Sequence, residues 1–213
     1  MSLYLTEEEQ IDRFKMWWKK YGNTLLTVIL IIVIAYTGWR WQQQRTSSNL
    51  SQASAAYEQI LVEVAVGDVE DIEIRANDIM ETYSNTIYAQ MAALLLAQQV
   101  AYAGDLPAAA QHLQWVIDQS RNNSLKQIAK IRAARIFLAD EESQLALEVL
   151  QPVDDKVFLP LIEQMRGDIY LHDKDYDKAR QAYNKALEAV VTPGMVDRFL
   201  QMKLNNLPPS TEL

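Results

Sequence analysis

Few residues in this chain of 213 have the types and spacing that catalysis or metal binding requires. It has no cysteine, which excludes disulfides, zinc–thiolate sites, iron–sulfur clusters and thiol nucleophiles. The two histidines, His112 and His172, lie 60 positions apart, and neither has a His or Glu at metal-ligand spacing on its own helix. No nucleophile elbow, Walker loop, dinucleotide fingerprint or catalytic carboxylate pair is present. The sequence predicts a protein that is not an enzyme, with no cofactor and no metal.

One acidic triplet has the spacing of a calcium-binding loop. Asp173, Asp175 and Asp177 form the Asp-x-Asp-x-Asp that begins a calcium-binding loop. The glycine required at the sixth loop position is Lys178, however, and the bidentate glutamate at the twelfth is Asn184. These aspartates are therefore expected to cap and charge the start of a helix.

The element that positions everything else is one long apolar run. Tyr21 to Trp39 contains no charged residue, and as a helix it would be about 30 Å long, the thickness of a bilayer core. We predict a transmembrane anchor at residues 21–41. A cleaved signal peptide is the alternative, but the run is long and ends without an Ala-x-Ala site. The tryptophans expected at the two membrane interfaces are Trp17 and Trp18 on one side and Trp39 and Trp41 on the other.

Basic residues flank this anchor unequally. Four lie before it, and only Arg40 and Arg45 lie close behind it, so the positive-inside rule places residues 1–20 in the cytoplasm as a short arm. The rest of the chain would then cross the membrane, into the periplasm of a Gram-negative bacterium. Residues 46–213 carry 24 acidic and 14 basic side chains, a net charge of −10. A domain this acidic is a poor candidate for binding nucleic acid.

The remainder is predicted to be all-α, and it contains a repeat. Gly167 and Tyr170, followed by Tyr176, Ala179, Tyr183 and Ala186, resemble the tetratricopeptide repeat (TPR) pattern of two packed helices. Weaker copies place alanines at 109 and 146, so that successive anchoring alanines are 37 and 33 positions apart, near the TPR period of 34. We predict a TPR-like α-solenoid of helical hairpins over residues 50–207. A generic helical bundle with coincident alanine spacing is the alternative.

Three further segments complete the predicted organisation. Residues 42–49 are polar and form either a linker or a helical stalk that continues the anchor. Thr192 and Pro193 open a C-terminal capping helix, since Thr at the N-cap and Pro at the first helical position are favourable. Residues 208–213 are expected to fray.

Surface recognition is the remaining function, and the first helix of each TPR hairpin lines a groove that suits a peptide. A basic spot is also expected at Lys126, Lys130, Arg132 and Arg135, either for an acidic partner or to balance neighbouring acids. The predicted groove residues are Met91, Leu94, Gln98 and Tyr102, then Ile128, Ile131 and Arg135, then Leu161, Gln164, Asp168 and His172.

Nearly the whole chain resembles the YfgM-type ancillary subunits of the SecYEG translocon. The resemblance is carried by FKMWWKKYG, GWRWQ, LLLAQQVAYAGDLPAAAQHLQ, RGDIYLHDKDYDKARQAY and MVDRFLQMKLNNL. It implies a single-pass protein of the bacterial inner membrane, with a cytoplasmic N-terminus and a TPR-like periplasmic domain. It also implies association with SecYEG and with the periplasmic chaperone PpiD, and help in passing exported, unfolded proteins to periplasmic chaperones.

Three other functions stay open at this point. The family is also linked to regulation of envelope stress signalling. The same domain could instead bridge another envelope machine, such as one for cell division or outer-membrane assembly. An envelope hydrolase with an unrecognised site would need a deep pocket with a perturbed acid or base.

Overall fold

A computed structural model of the chain describes residues 7–66, 69–153, 155–190 and 195–209. The all-α prediction is confirmed, since these residues form nine α-helices and one 3₁₀ turn and contain no strand. Two compact units are present, Met1–Ser51 and Gln52–Leu213. The helices are α1 Glu7–Val66, α2 Val69–Thr82, α3 Ile87–Tyr102, α4 Leu106–Gln119, α5 Asn123–Ala139, α6 Ser143–Val149, α7 Leu159–His172, α8 Tyr176–Glu188 and α9 Met195–Asn205, with the 3₁₀ turn at Lys156–Phe158.

The first unit is the N-terminal part of α1, and its apolar side chains are exposed. Leu30, Ile31 and Ile34 each leave more than half of their surface uncovered, because no other described element packs on them. Among the described residues, α1 is the one helix long and apolar enough to cross a membrane. Residues 42–49 are helical within α1.

In the second unit, the C-terminal turns of α1 pair with α2. Tyr57 and Ile60 of α1 are buried in one apolar cluster with Ile72 and Ile79 of α2, and this cluster extends onto α3. The two helices form the first hairpin of this unit. Residues 67 and 68, which connect them, lie outside the described residues.

The next three hairpins are α3–α4, α5–α6 and α7–α8, and their turns share one backbone conformation. Each turn contains one residue with positive φ, and the residue after it donates its N–H to a carbonyl five positions earlier. These turns recur 37 and 33 positions apart, as the anchoring alanines do, and all three alanines are buried. The TPR-like repeat is therefore confirmed. The positive-φ residues are Gly104, Glu141 and Lys174, and the N–H donors are Asp105 to Val100, Glu142 to Phe137 and Asp175 to Tyr170.

Helices α7 and α8 approach each other closely at Gly167. Gly167 faces the ring of Tyr183, which is fully buried, and a Cβ at Gly167 would lie only 2.3 Å from the Cε1 atom of that ring. Glycine is required here because only a residue without a side chain lets the two helices approach this closely. The motif that predicted the repeat therefore marks a point of close helix packing.

Helix α9 covers the end of the solenoid, as the predicted capping helix should. Leu200 and Leu207 are buried in one cluster with Tyr183, and Lys203 forms an ion pair with Asp168 of α7. The outer face is not purely polar, since Phe199 is exposed. The predicted start at Thr192–Pro193 lies outside the described residues, as do residues 210–213 of the tail. The tail is held at its beginning, because the Pro208 carbonyl accepts a hydrogen bond from Arg180.

Candidate partner groove

The acidic triplet has a structural role at the start of α8. Asp175 caps the helix by accepting the Lys178 N–H at 3.2 Å, and it also pairs with the Lys178 ammonium at 2.6 Å. These hydrogen bonds from Lys178 lower the pKa of Asp175 below its ordinary value of 3.8. Asp173 accepts the hydroxyl of Ser143 at 2.6 Å. In the described part of the chain, no three His, Asp or Glu side chains are grouped so that they could hold a metal ion.

The two histidines lie apart and face different surroundings. His172 is exposed, with its Nδ1 3.4 Å from the carboxylate of Asp173. His112 on α4 is partly buried, and burial lowers its pKa while Glu73 and Asp105 nearby oppose that shift. The geometry gives these residues no shared site.

A cavity of about 320 Å³ opens between α3, α4 and α5. Four predicted groove residues line it together, which are Leu94, Gln98, Tyr102 and Arg135. Successive first helices of the solenoid, α3 and α5, form its two walls, as the repeat frame predicts. The other lining residues are Ala97, Ala101, Leu113, Arg132 and Ile136.

The cavity has an apolar floor and a polar mouth. Leu94 and Leu113 are buried at its base, whereas Tyr102 at the mouth is 79 % exposed. The Gln98 amide donates to the Tyr102 hydroxyl at 3.3 Å, and the Arg132 guanidinium donates to the Leu94 carbonyl at 3.4 Å. Apolar lining with a few placed polar groups is typical of a ligand pocket.

Comparison with known proteins assigns the chain to a family. Residues 15–209 match the tetratricopeptide repeat-like domain family. The chain belongs to that family. The match includes both the apolar helix and the solenoid.

Curated relatives extend this assignment over almost the whole length. The chain is 28 % identical over 209 residues to the "Ancillary SecYEG translocon subunit" of Neisseria gonorrhoeae, covering 97 % of this chain and 100 % of the relative. It is 27 % identical to the protein of the same name from Escherichia coli, covering 97 % and 99 %. The resemblance stated from the sequence motifs is thereby confirmed.

A solved structure supports the fold of this family member independently. MamA, residues 41 to the end, from Desulfovibrio magneticus RS-1 superposes with a TM-score of 0.52 and 17 % sequence identity. The superposition covers 72 % of this chain and 86 % of that chain. At this identity the likeness concerns the fold alone.

The other predicted groove residues do not line this cavity. Met91 packs against the cluster that contains Tyr57, and Ile131 packs against the cluster of α5, α6 and α7. Asp168 is occupied within the fold, since it accepts hydrogen bonds from the Tyr183 hydroxyl and from Lys203. The remaining four, Ile128, Leu161, Gln164 and His172, are partly or fully exposed elsewhere on α5 and α7.

The predicted basic spot is wrong as a single surface, and Lys130 shows why. Lys130 is buried, and its ammonium donates to the Pro152 carbonyl at 2.7 Å between α6 and α7. Arg132 and Arg135 lie on the opposite side of α5, at the cavity. The helical period alone predicts this separation. At about 100° per residue, positions 132 and 135 are rotated by about 140–200° from position 130 around the helix axis. Arg132 is thus a cavity residue that the groove prediction missed. Its position three residues before Arg135 on the same helix face could have identified it.

Proposed function

We propose that this protein is a membrane-anchored scaffold that associates with the SecYEG translocon. It would bind protein partners in the groove between α3 and α5 and help pass exported, unfolded proteins to periplasmic chaperones of the PpiD type. The observation that carries the proposal is that ancillary translocon subunits match this chain over 97 % of its length, anchor and solenoid together.

The anchor sets where the groove works. Trp18 and Trp39 are 21 residues apart in one continuous helix, about 32 Å, which matches a bilayer core. We propose a single crossing of the bacterial inner membrane, with residues 1–20 in the cytoplasm and the solenoid in the periplasm, because four basic residues lie close before the apolar run and only Arg40 and Arg45 lie close behind it. Held there, the groove would meet chains as they leave the channel.

The absence of catalytic groups at the cavity supports a binding role. Its lining contains no histidine, serine or carboxylate, and therefore no nucleophile and base within reach of each other. Its volume, at the lower limit of small-molecule pockets, suits about one or two side chains of an extended segment. A scaffold that acts through recognition needs no more than this.

Site-specific photocrosslinking in native membranes tests the proposal. A crosslinking residue at Tyr102 or at Arg135 should capture a channel subunit, a chaperone or an exported chain. The control is Val157, which is as exposed as Tyr102 but does not line the cavity. If neither groove position captures any of these while the protein is present at normal abundance, the groove has no such role.

Affinity isolation of the protein from detergent-solubilised membranes distinguishes this function from the alternatives. A translocon-associated scaffold should be isolated together with channel subunits. A bridging factor of another envelope machine, or a regulator of envelope stress signalling, would be isolated without them.

A further inference from the structure

Two arginines at the mouth of the cavity suggest what the groove binds. Arg132 and Arg135 are three positions apart on α5, and residues at this spacing lie on one face of a helix. Both are exposed, and both line the cavity. Within the described ranges, no carboxylate forms an ion pair with either guanidinium.

This unpaired positive charge is unusual for its surroundings. The residues after the anchor carry a net charge of −10, yet the cavity lining includes two bases and no acid. The cavity beside α7 and α8 offers a contrast, since Arg166 there is paired with Glu163 at 2.5 Å. Two like charges on one helix face repel each other, so an anion bound between them would relieve that repulsion.

The chemistry next to the arginines narrows the class of anion. Guanidinium groups bind carboxylates through two parallel hydrogen bonds, and the Arg132 contact to the Leu94 carbonyl occupies only one of its five N–H donors. A small anion alone would leave the apolar floor at Leu94, Leu113 and Ile136 exposed to water. A ligand that uses both features carries a carboxylate beside an apolar side chain.

We propose that the cavity binds an extended protein segment in which one large apolar residue is flanked by an aspartate or a glutamate. The apolar side chain enters between α3 and α5, and the carboxylate pairs with Arg132 and Arg135. The Gln98 amide and the Tyr102 hydroxyl lie beside it, where they can bond the segment's backbone. This inference rests on the proposed function, because it names the chemistry of the segment that the groove receives.

Fluorescence anisotropy on the full chain in nanodiscs tests this chemistry. The first probe is a labelled peptide with one leucine flanked by aspartate and glutamate in a Gly–Ser background. The second probe replaces both acids by their amides, and the third replaces the leucine by alanine. Tight binding is expected for the first alone, with affinity that falls at higher ionic strength.

Variants then assign the binding to the cavity. Arg135→Gln should weaken the acidic peptide by roughly tenfold or more and leave the amide peptide unchanged. Ala101→Phe, which fills the cavity, should weaken the leucine peptide and not the alanine peptide. Arg121→Gln is the matched control, because Arg121 is an exposed arginine that does not line this cavity.

Three outcomes would overturn the proposal. The acidic and amide peptides bind equally, or Arg121→Gln weakens binding as much as Arg135→Gln, or inorganic phosphate competes as well as the peptide does. The proposed function is judged separately by crosslinking at Tyr102. Captured partners without acid-dependent peptide binding would remove only the carboxylate chemistry, and acid-dependent binding without captured partners would remove only the translocon role.

Discussion

Replacing Gly167 by alanine should destabilise the solenoid, although the same change normally stabilises a helix. The new Cβ would lie 2.3 Å from Cε1 and 2.5 Å from Cδ1 of Tyr183, whereas ordinary van der Waals contacts are 3.4–4 Å. The ring must therefore move by about 1 Å. It cannot move without cost, because it is fully buried and its hydroxyl donates to the Asp168 carboxylate at 2.6 Å.

The opposing terms allow an estimate of the net change. Overpacking of a core costs about 1–3 kcal/mol. Distorting the buried hydrogen bond to Asp168 adds about 1–2 kcal/mol. Alanine recovers about 1 kcal/mol through its higher helix propensity. We expect Gly167→Ala to lower the free energy of unfolding by about 1–4 kcal/mol, which for a domain of this size is roughly 2–16 °C in Tm.

Thermal unfolding followed by circular dichroism on the full chain in detergent measures this change. Gly38→Ala is the matched control, since a Cβ there meets no atom within 4 Å. Adding Tyr183→Leu to Gly167→Ala should cost less than the sum of the two single changes, because the shorter side chain leaves room for the methyl group. A Gly167→Ala protein as stable as the wild type, or full additivity with Tyr183→Leu, would refute the close-packing argument.

Three further predictions concern the buried lysine, the buried tyrosine and the anchor. Lys130→Ala should destabilise the protein by about 1–3 kcal/mol in urea unfolding, because the Pro152 carbonyl loses its donor, whereas Lys126→Ala should change it by less than about 0.5 kcal/mol. Equal effects would contradict a stabilising role for the hydrogen bond between Lys130 and the Pro152 carbonyl. Burial and the hydrogen bond to Asp168 raise the pKa of Tyr183 in the folded protein above its ordinary value of 10.0. As the pH rises above 10.0, this tyrosine therefore ionises in the unfolded chain before it does so in the folded protein, and the free energy of unfolding should fall. Tyr183→Phe should show a smaller fall between neutral and alkaline urea midpoints, and an unchanged fall would contradict this assignment. Ile31→Arg places a charge in the middle of the anchor, which costs about 2.5–3.5 kcal/mol in membrane insertion. Alkaline carbonate should therefore extract more of the variant than of the wild type from membranes, and undiminished retention would count against a spanning helix.

Part of the candidate groove could be predicted from the repeat, because a TPR-like frame specifies which helices line it. Leu94, Gln98, Tyr102 and Arg135 were placed on that basis, and they line one cavity. The frame could not say that the cavity is confined to α3, α4 and α5. That depends on how closely neighbouring first helices approach, which the side chains of both helices set together.

Asp168 shows a second limit of the pattern. Its position in α7 corresponds to the groove face, but Tyr183 and Lys203 bind its carboxylate. Lys203 is 35 positions further along the chain, and no periodicity in α7 indicates that α9 would bring it there. Long-range pairing of this kind is decided when helices pack.

The sequence by itself determined the elements of this protein. Uninterrupted apolar composition identified the helix that can cross a membrane, and glycines, aspartates and alanines at fixed spacing identified the hairpins, because both signals are local in the chain. Only the tertiary structure decided which charges are used within the fold and which stay unpaired. Lys130 is buried against a carbonyl, whereas Arg132 and Arg135 line a cavity and have no carboxylate partner in the described part of the chain. The physical reason is that burial and ion pairing depend on neighbours from other helices, and those neighbours are fixed only when the solenoid packs.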